Sequence, residues 1–293
     1  MQLEDRTLKG ALQSVQLLNR MQDYNGHGRD ALYAFALDEL LCRRTGQGGP
    51  AVCHLWRHPS AFIMGLRDSR LPQAQVGMQW LETQGWQTAV RHSGGAAVPL
   101  DLGIVNLSLI LPMEASPTTD YRQDFETMYR LIAEAVREQC RNASIMEAGR
   151  VEKGEIAGAY CPGDFDLSID GFKFCGIAQR RQSHAFIVQA FIVAEGSGRD
   201  RARLVRSFYE LAASDADSEQ YPLVEPDSTR SLDELLSANA GGAAGFAEAV
   251  KRIVRGYQAL DGQKQAAEGI EMPSQADIVR MMESLRSRYT IQQ

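Results

Sequence analysis

Two side chains twelve positions apart, Cys161 and Lys173, could together supply a nucleophile and an acid–base group. Cys161 lies in Tyr160-Cys161-Pro162-Gly163, a loop signature, and a thiol held on a turn is expected to be exposed and mobile enough to attack a substrate. An ammonium nearby would raise its thiolate fraction. Lys173 follows Asp170-Gly171, which sits between two alternating runs. That dipeptide signals a hairpin, because both central residues of a type I′ turn need positive φ. A two-residue loop pairs Ile169 with Phe172 and Ser168 with Lys173. Simple alternation then puts Lys173, Cys175 and Ile177 on one face with Ser168 and Asp166, and Phe172, Phe174, Gly176 and Ala178 on the other.

On periodicity, Lys173 is expected to face solvent on a half-exposed sheet. Turned inward, its ammonium would need a carboxylate, a ligand or a functional reason. Cys175 is a rival nucleophile that stands nearer Lys173 in this sheet. Strict continuation of the strand even places Cys161 on the face opposite Lys173, so Pro162-Gly163 must redirect the chain if the two are to meet. Residue chemistry leaves both thiols open. Gly176 marks either close approach of a ligand or a bulge.

A second stretch, Arg91-His92-Ser93-Gly94-Gly95-Ala96-Ala97-Val98, links two expected strands. Paired glycines let backbone come close to a ligand and aim N–H groups at an anion or carbonyl. Arg91 could bind a carboxylate or phosphate, or form a surface ion pair. Ser93 could orient a ligand or close the turn. The spacing matches neither a dinucleotide fingerprint nor a phosphate-binding P-loop.

The elements that must position these residues alternate in type. Asp30 reads as an N-cap before Leu32, Phe35, Ala36 and Leu40 at helical spacing. Residues 52–57 and 61–64 read as strands around His58-Pro59, 78–84 as a helix closed by Gly85, and 86–91 and 105–111 as strands. Asp120 is expected to cap a long helix to about residue 141, with Phe125, Met128, Leu131, Ile132 and Val136 as its buried stripe. Strands follow over 144–194, then a helical tail from 198, whose last helix carries Ile278, Met281, Met282 and Leu285. The fold class is α/β or α+β. The expected organisation is a polar extension over 1–28, a catalytic domain over 29–215 and a helical region over 216–293 packed on it.

The 293 residues are 44% apolar and 23% charged, ordinary for a globular protein, and the net charge of −6 argues against a nucleic-acid binder. Five cysteines at irregular spacing, with no CxxC, argue against a disulfide framework or structural zinc. No signal peptide or membrane span is legible, so the cytoplasm is the expected compartment.

Taken together, these stretches resemble the lipoate–protein ligase and octanoyltransferase superfamily, which has the biotin/lipoate ligase fold: a central mixed sheet, a smaller sheet and flanking helices. The glycine-loop pattern is met by Arg91, Ser93, Gly94, Gly95, Ala97 and Val98, followed by Asp101, Asn106 and Ser108. The lysine-strand pattern is met by Asp170, Gly171, Lys173, Gly176 and Ala178, and Trp56 with residues 65–72 looks like an early strand and turn of the fold. Two departures stand against an acyl-adenylate site: Ala96 replaces a third glycine, and Leu100 replaces a histidine before the aspartate. Residues 160–163, 166–169 and 176–181 look like the amidotransferase branch.

That resemblance implies Cys161, not Cys175, as the nucleophile, with Lys173 as its acid–base partner. It implies substrate contacts from Arg91, Ser93, Gly94, Gly95, Asn106, Gly176 and Ala178, and no cofactor. Members of the branch move an octanoyl group from the glycine-cleavage H protein to lipoyl domains of 2-oxoacid dehydrogenases. An apolar tunnel, with Phe174 or Leu107 contributing, would hold the chain, and Arg180 and Arg181 either dock an acidic carrier or end the strand in solvent. Three rivals share the scaffold: a transferase using acyl carrier protein as donor, an ATP-dependent lipoate or biotin ligase, and a non-catalytic carrier-binding protein.

Overall fold

The computed structural model describes residues 3–113, 121–143, 149–214, 216, 218–236, 240–259 and 270–288. In chain order the elements are α1 (Leu3–Leu12), β1 (Gln16–Arg20), α2 (Tyr33–Gly46), β2 (Val52–Trp56), β3 (Ser60–Met64), α3 (Ala74–Thr83), β4 (Gln87–Val90), β5 (Val98–Asp101), β6 (Ile104–Pro112) and α4 (Tyr121–Asn142). There follow β7 (Glu152–Lys153), β8 (Leu167–Ile169), β9 (Phe172–Arg181), β10 (Ala185–Val193), α5 (Gly198–Ala213), α6 (Leu232–Leu236), α7 (Gly242–Ala259) and α8 (Gln275–Arg288). The residue expected to cap α4, Asp120, lies outside the described residues. Asp30, expected as the cap of the next helix, lies two residues before the actual N-cap of α2, Leu32, whose amide donates to the Asp30 carboxylate at 2.9 Å.

Seven strands form a mixed sheet in the order β1-β2-β6-β10-β9-β8-β7, and three form a small sheet in the order β4-β3-β5. The turn at His58-Pro59 carries the chain from one sheet to the other, so strands adjacent in sequence belong to different layers. Period-two alternation divides the large sheet's side chains between two cores. From β6 and β10, Val105, Leu107, Leu109, Val188, Ala190 and Ile192 pack with α1, α4 and α7. Ile104, Ile110, Ile187, Phe191 and Val193 pack with α2, the small sheet, α3, α5 and α8. Among this second set stand three polar residues, Asn106, Ser108 and Gln189, and they mark where the site lies. No described helix is long and apolar enough to cross a membrane.

Residues 3–20, expected as part of a polar extension, form a helix and the edge strand of the large sheet, β1 pairing parallel with β2. Leu8, Leu12 and Val15 are buried there. Apolar residues spaced along a short polar segment suffice to dock it when a sheet edge is open. Truncating Leu12, which has no exposed surface, to alanine is expected to cost about 2–5 kcal/mol in a denaturant titration. No loss would show that this segment contributes nothing to the core.

The β8–β9 hairpin turns at Asp170 and Gly171, both with positive φ (51° and 79°), and pairs Ile169 with Phe172 and Ser168 with Lys173 as alternation requires. The register then shifts: Leu167 pairs with Cys175, so Phe174 is an extra residue on β9. Such a bulge reverses the facing of everything beyond it. Lys173 and Cys175 therefore point to opposite cores, not the shared face that simple alternation predicts. Cys175 and Phe174 pack with the α4 side, and the Lys173 ammonium lies 5.6 Å from the Phe191 ring centroid on the α2 side.

Candidate active site

Lys173 has no solvent-exposed surface, against the expectation of a solvent-facing residue. Its ammonium donates to Tyr160 O at 2.8 Å and Cys161 O at 2.6 Å, and pairs with Asp166 Oδ2 at 2.7 Å. Three acceptors match the three donors of an ammonium. Burial pushes the Asp166 carboxyl up to about 6, while the adjacent Lys173 charge opposes that rise. The two carbonyls bound by Lys173 belong to the turn that presents the thiol. Cys161 sits there with φ of 49°, a left-handed conformation that costs a non-glycine residue energy and persists because surrounding contacts hold it. The expected open, mobile loop is thus a nearly buried, clamped turn, with Cys161 8% exposed.

Across from this turn runs the glycine loop. Arg91 Nη2 donates to Cys161 Sγ at 3.2 Å and to Ala96 O at 2.7 Å. Gly95 has φ of 98°, and a Cβ there would fall 2.9 Å from Cys161 Sγ and 2.4 Å from Arg91 Nη2. The backbone therefore passes the sulfur at a distance only glycine permits. Gly95→Ala is expected to lower turnover by about a hundredfold through displacement of the sulfur or the guanidinium. Steady-state kinetics would show it, alongside a lowered melting temperature from the strained φ; full activity would mean the loop yields freely.

Beside Cys161 opens a cavity of about 440 Å³, walled by Phe35, Trp56, Ile63, Val98, Leu100, Phe125, Phe165 and Phe191. Arg91, Gly94, Gly95, Asn106, Gly176 and Ala178 line the same cavity. Ser93 does not; it lines a second cavity, of about 650 Å³, that shares Gly94, Gly95 and Pro162 with the first. Phe174 and Leu107, expected along the tunnel, lie in the opposite core. Gly176 is a glycine because the Phe191 ring crosses it, 2.5 Å from where a Cβ would stand.

Of the five cysteines, all described, Cys161 is the one that lines this cavity. Burial pushes the thiols of Cys42 and Cys53 up to about 12, raises that of Cys140 and lifts Cys175 well above the ordinary range. A thiol held protonated in an apolar core is inert. The structure thus separates the two candidates that residue chemistry left open.

Several residues that build the site were not assigned to it from sequence. Asp166 is one, although its shared face with Lys173 was a usable signal. From α2 come two consecutive buried carboxylates. Asp38 accepts from Ser108 Oγ at 2.6 Å and Gln189 Nε2 at 3.0 Å, and contacts His54 Nδ1 at 2.7 Å, forming a polar layer against the sheet. Glu39 accepts from His92 Nε2 at 2.9 Å and from Arg180 Nε and Nη2, both at 3.1 Å, tying the glycine loop to β9. Arg181 pairs with Asp124 at 2.6 Å, so both strand-end arginines are held within the chain. From α5, the Tyr209 hydroxyl donates to Asp68 at 2.9 Å and accepts from the Ala97 amide at 3.2 Å, fastening the loop's far end.

Burial would raise the Glu39 carboxyl, but the hydrogen bonds and charges of His92 and Arg180 outweigh it and hold Glu39 at about 2. A depressed carboxylate contributes stability that is present above its unfolded value and lost as pH falls toward the folded one. Glu39→Gln is therefore expected to flatten the acid limb of the stability profile between about pH 4.5 and 2, read by thermal melts across that range.

The family model of the lipoyl protein ligase A/B catalytic domain matches residues 30–256. The chain belongs to that family. Within it, the chain is 40% identical over 237 residues to the octanoyl-GcvH:protein N-octanoyltransferase of Anoxybacillus flavithermus, covering 80% of each chain. It is 42% identical to the protein of the same name from Geobacillus kaustophilus, covering 73% of this chain and 74% of that one. Among solved structures, lipoate-protein ligase A bound with ATP superposes with a TM-score of 0.57 at 16% identity, over 94% of this chain and 93% of the other. The lipoate protein ligase of Thermoplasma acidophilum gives 0.56 at 17% identity, over 94% and 93%. At such identities these structures establish the shared fold of the catalytic domain, with its large and small sheets.

Proposed function

We propose that this protein is an octanoyl amidotransferase of protein lipoylation. It takes an octanoyl group from the octanoyl-lysine of glycine cleavage H protein, holds it as a thioester on Cys161 and passes it to a lysine of a lipoyl domain of a 2-oxoacid dehydrogenase. The observation that carries the reading is the position of Cys161 Sγ, beside Arg91 and on the wall of the apolar cavity, with the Lys173 ammonium gripping the same turn. The names of the curated relatives support GcvH as the donor.

The reaction needs no outside activation. The Cys161 thiolate attacks the amide carbonyl, forming a carbon–sulfur bond and an oxyanion beside the Gly94–Gly95 backbone. As the carbon–nitrogen bond breaks, Lys173 turns one donor from the Cys161 carbonyl to the departing lysine amine, gives it a proton and becomes neutral. The incoming lysine amine attacks the thioester and returns a proton to Lys173, and the sulfur leaves as thiolate. The octanoyl chain stays in the cavity throughout, each buried CH₂ contributing about 0.8 kcal/mol.

Mixing the protein with octanoyl-H protein, without ATP, tests this by intact mass spectrometry. The expected result is an octanoyl adduct, released by hydroxylamine and mapping to Cys161. An adduct formed only from octanoyl-acyl carrier protein would move the donor. ATP-dependent acylation without any adduct would replace the reading with a ligase.

A further inference from the structure

We propose that Arg91 is a catalytic residue: its guanidinium carries the negative charge on the Cys161 sulfur, both when the thiolate attacks and when it departs. The inference deepens the thioester reading above and rests on it. It assigns to Arg91 a role different from the substrate contact that the family resemblance implies.

All three donors of the Lys173 ammonium are engaged, by Tyr160 O, Cys161 O and the Asp166 carboxylate. The cation within hydrogen-bond distance of Sγ is Arg91, at 3.2 Å. Among the described residues no carboxylate lies within salt-bridge distance of Arg91; Asp68, the acid whose charge it feels, is bound instead by Tyr209 and the Gly65 amide. Arg91 is 7% exposed, so little water screens it. Two phenols, Tyr160 and Tyr209, feel the charge of Cys161, and the nearby Asp166 and Lys173 are paired with each other.

The approach is also built into the backbone. The Arg91 amide is anchored to Met64 O at 2.9 Å, and its guanidinium bridges Ala96 O and the sulfur. Gly95 leaves the gap through which the two groups meet. A guanidinium does not give up its proton in proteins, whereas an ammonium can. The two cations therefore divide the work. Arg91 keeps its proton and balances the sulfur through bond formation and bond cleavage. Lys173 exchanges a proton with the amine. In each half-reaction one bond to carbon forms as one breaks, and one proton moves between Lys173 and nitrogen, with none crossing to Arg91.

The test separates this from the thioester reading by using a reagent that needs no substrate. The rate of Cys161 alkylation by iodoacetamide is measured at one neutral pH in the full-length protein, against Cys161→Ser as background. Arg91→Gln and Arg91→Met are both made, the second keeping the packing of the aliphatic stem, and Arg91→Lys restores a charge without the fork. A charge-assisted hydrogen bond predicts that the two neutral variants lose about tenfold to a hundredfold in alkylation rate, with Arg91→Lys intermediate. The octanoyl-adduct rate should fall in parallel. Circular dichroism selects the neutral variant that keeps its fold. Alkylation within about twofold of wild type in a folded neutral variant overturns the proposal. If the wild type is alkylated fast yet forms no octanoyl adduct, the thioester reading fails while the alkylation series still decides the pairing of Arg91 with Cys161.

Discussion

Cys161→Ser is expected to abolish octanoyl transfer, a loss on the order of 10⁴-fold or more, while Cys175→Ser should leave it within a few-fold of wild type. The asymmetry follows from where each sulfur stands. Cys161 is on the cavity wall at 3.2 Å from a guanidinium, and its loss removes the atom to which the acyl group would be joined. A serine hydroxyl in its place would lack the thiol's intrinsic nucleophilicity, and the nearby arginine cannot act as a base. Cys175 has no exposed surface and packs with Leu167 and Phe174 in the core on the other side of the sheet, where burial holds its thiol protonated. Replacing it costs some packing but no chemistry. Single-turnover acylation from octanoyl-H protein, followed by mass, measures both variants in one assay. Equal losses in the two would contradict the assignment of the nucleophile.

Lys173→Met should show the second large effect, in two quantities at once. Turnover falls by about 10²–10⁴-fold, because the leaving amine loses its proton donor. Stability falls by about 3–5 kcal/mol, because the buried Asp166 carboxylate loses the charge that pairs with it at 2.7 Å. The two losses are separable. Adding Asp166→Asn removes the uncompensated charge, so the double variant should recover most of the stability and none of the turnover. The pH dependence supplies a further check. Asp166 already stands at about 6, raised by burial and restrained by Lys173, so removing Lys173 raises it further. A group with a raised folded value contributes stability below its unfolded value and loses it as pH rises through the folded one. Lys173→Met should therefore be closest to wild type in mild acid and weakest above neutrality. A variant destabilised equally at every pH would mean that Asp166 is not the residue left exposed to the loss.

Much of the scaffold was legible in the residues. The Asp170-Gly171 hairpin, its first two residue pairs, the strand–helix alternation and the Gly94-Gly95 break all rest on local rules: turn residues set φ, and apolar spacing sets the buried face. Arg91, Gly94, Gly95, Asn106, Gly176 and Ala178 were each tied to the site by pattern, and all six line the cavity with Cys161. Local rules failed where one residue changed the geometry of the rest. The extra residue at Phe174 puts Cys175 on the face opposite Lys173, and a left-handed φ at Cys161 bends the loop back over Lys173. Neither feature has a signature in period-two alternation, which assumes an unbroken ladder.

The remaining parts of the site come from residues far apart in the chain. Arg91 meets Cys161 across 70 positions, Glu39 meets Arg180 across 141, and Tyr209 meets Asp68 across 141. A sequence lists the charges and hydroxyls but not their partners, since each of these side chains is equally at home on a solvated surface. By itself the sequence determined the elements, the glycine loop and the short list of residues able to do chemistry. The tertiary structure decided which thiol is near a cation, which cation that is, and which carboxylates are buried. The physical reason is that burial and pairing arise only when α2, the two sheets and α5 close around the same cavity, and water is excluded from all of them together.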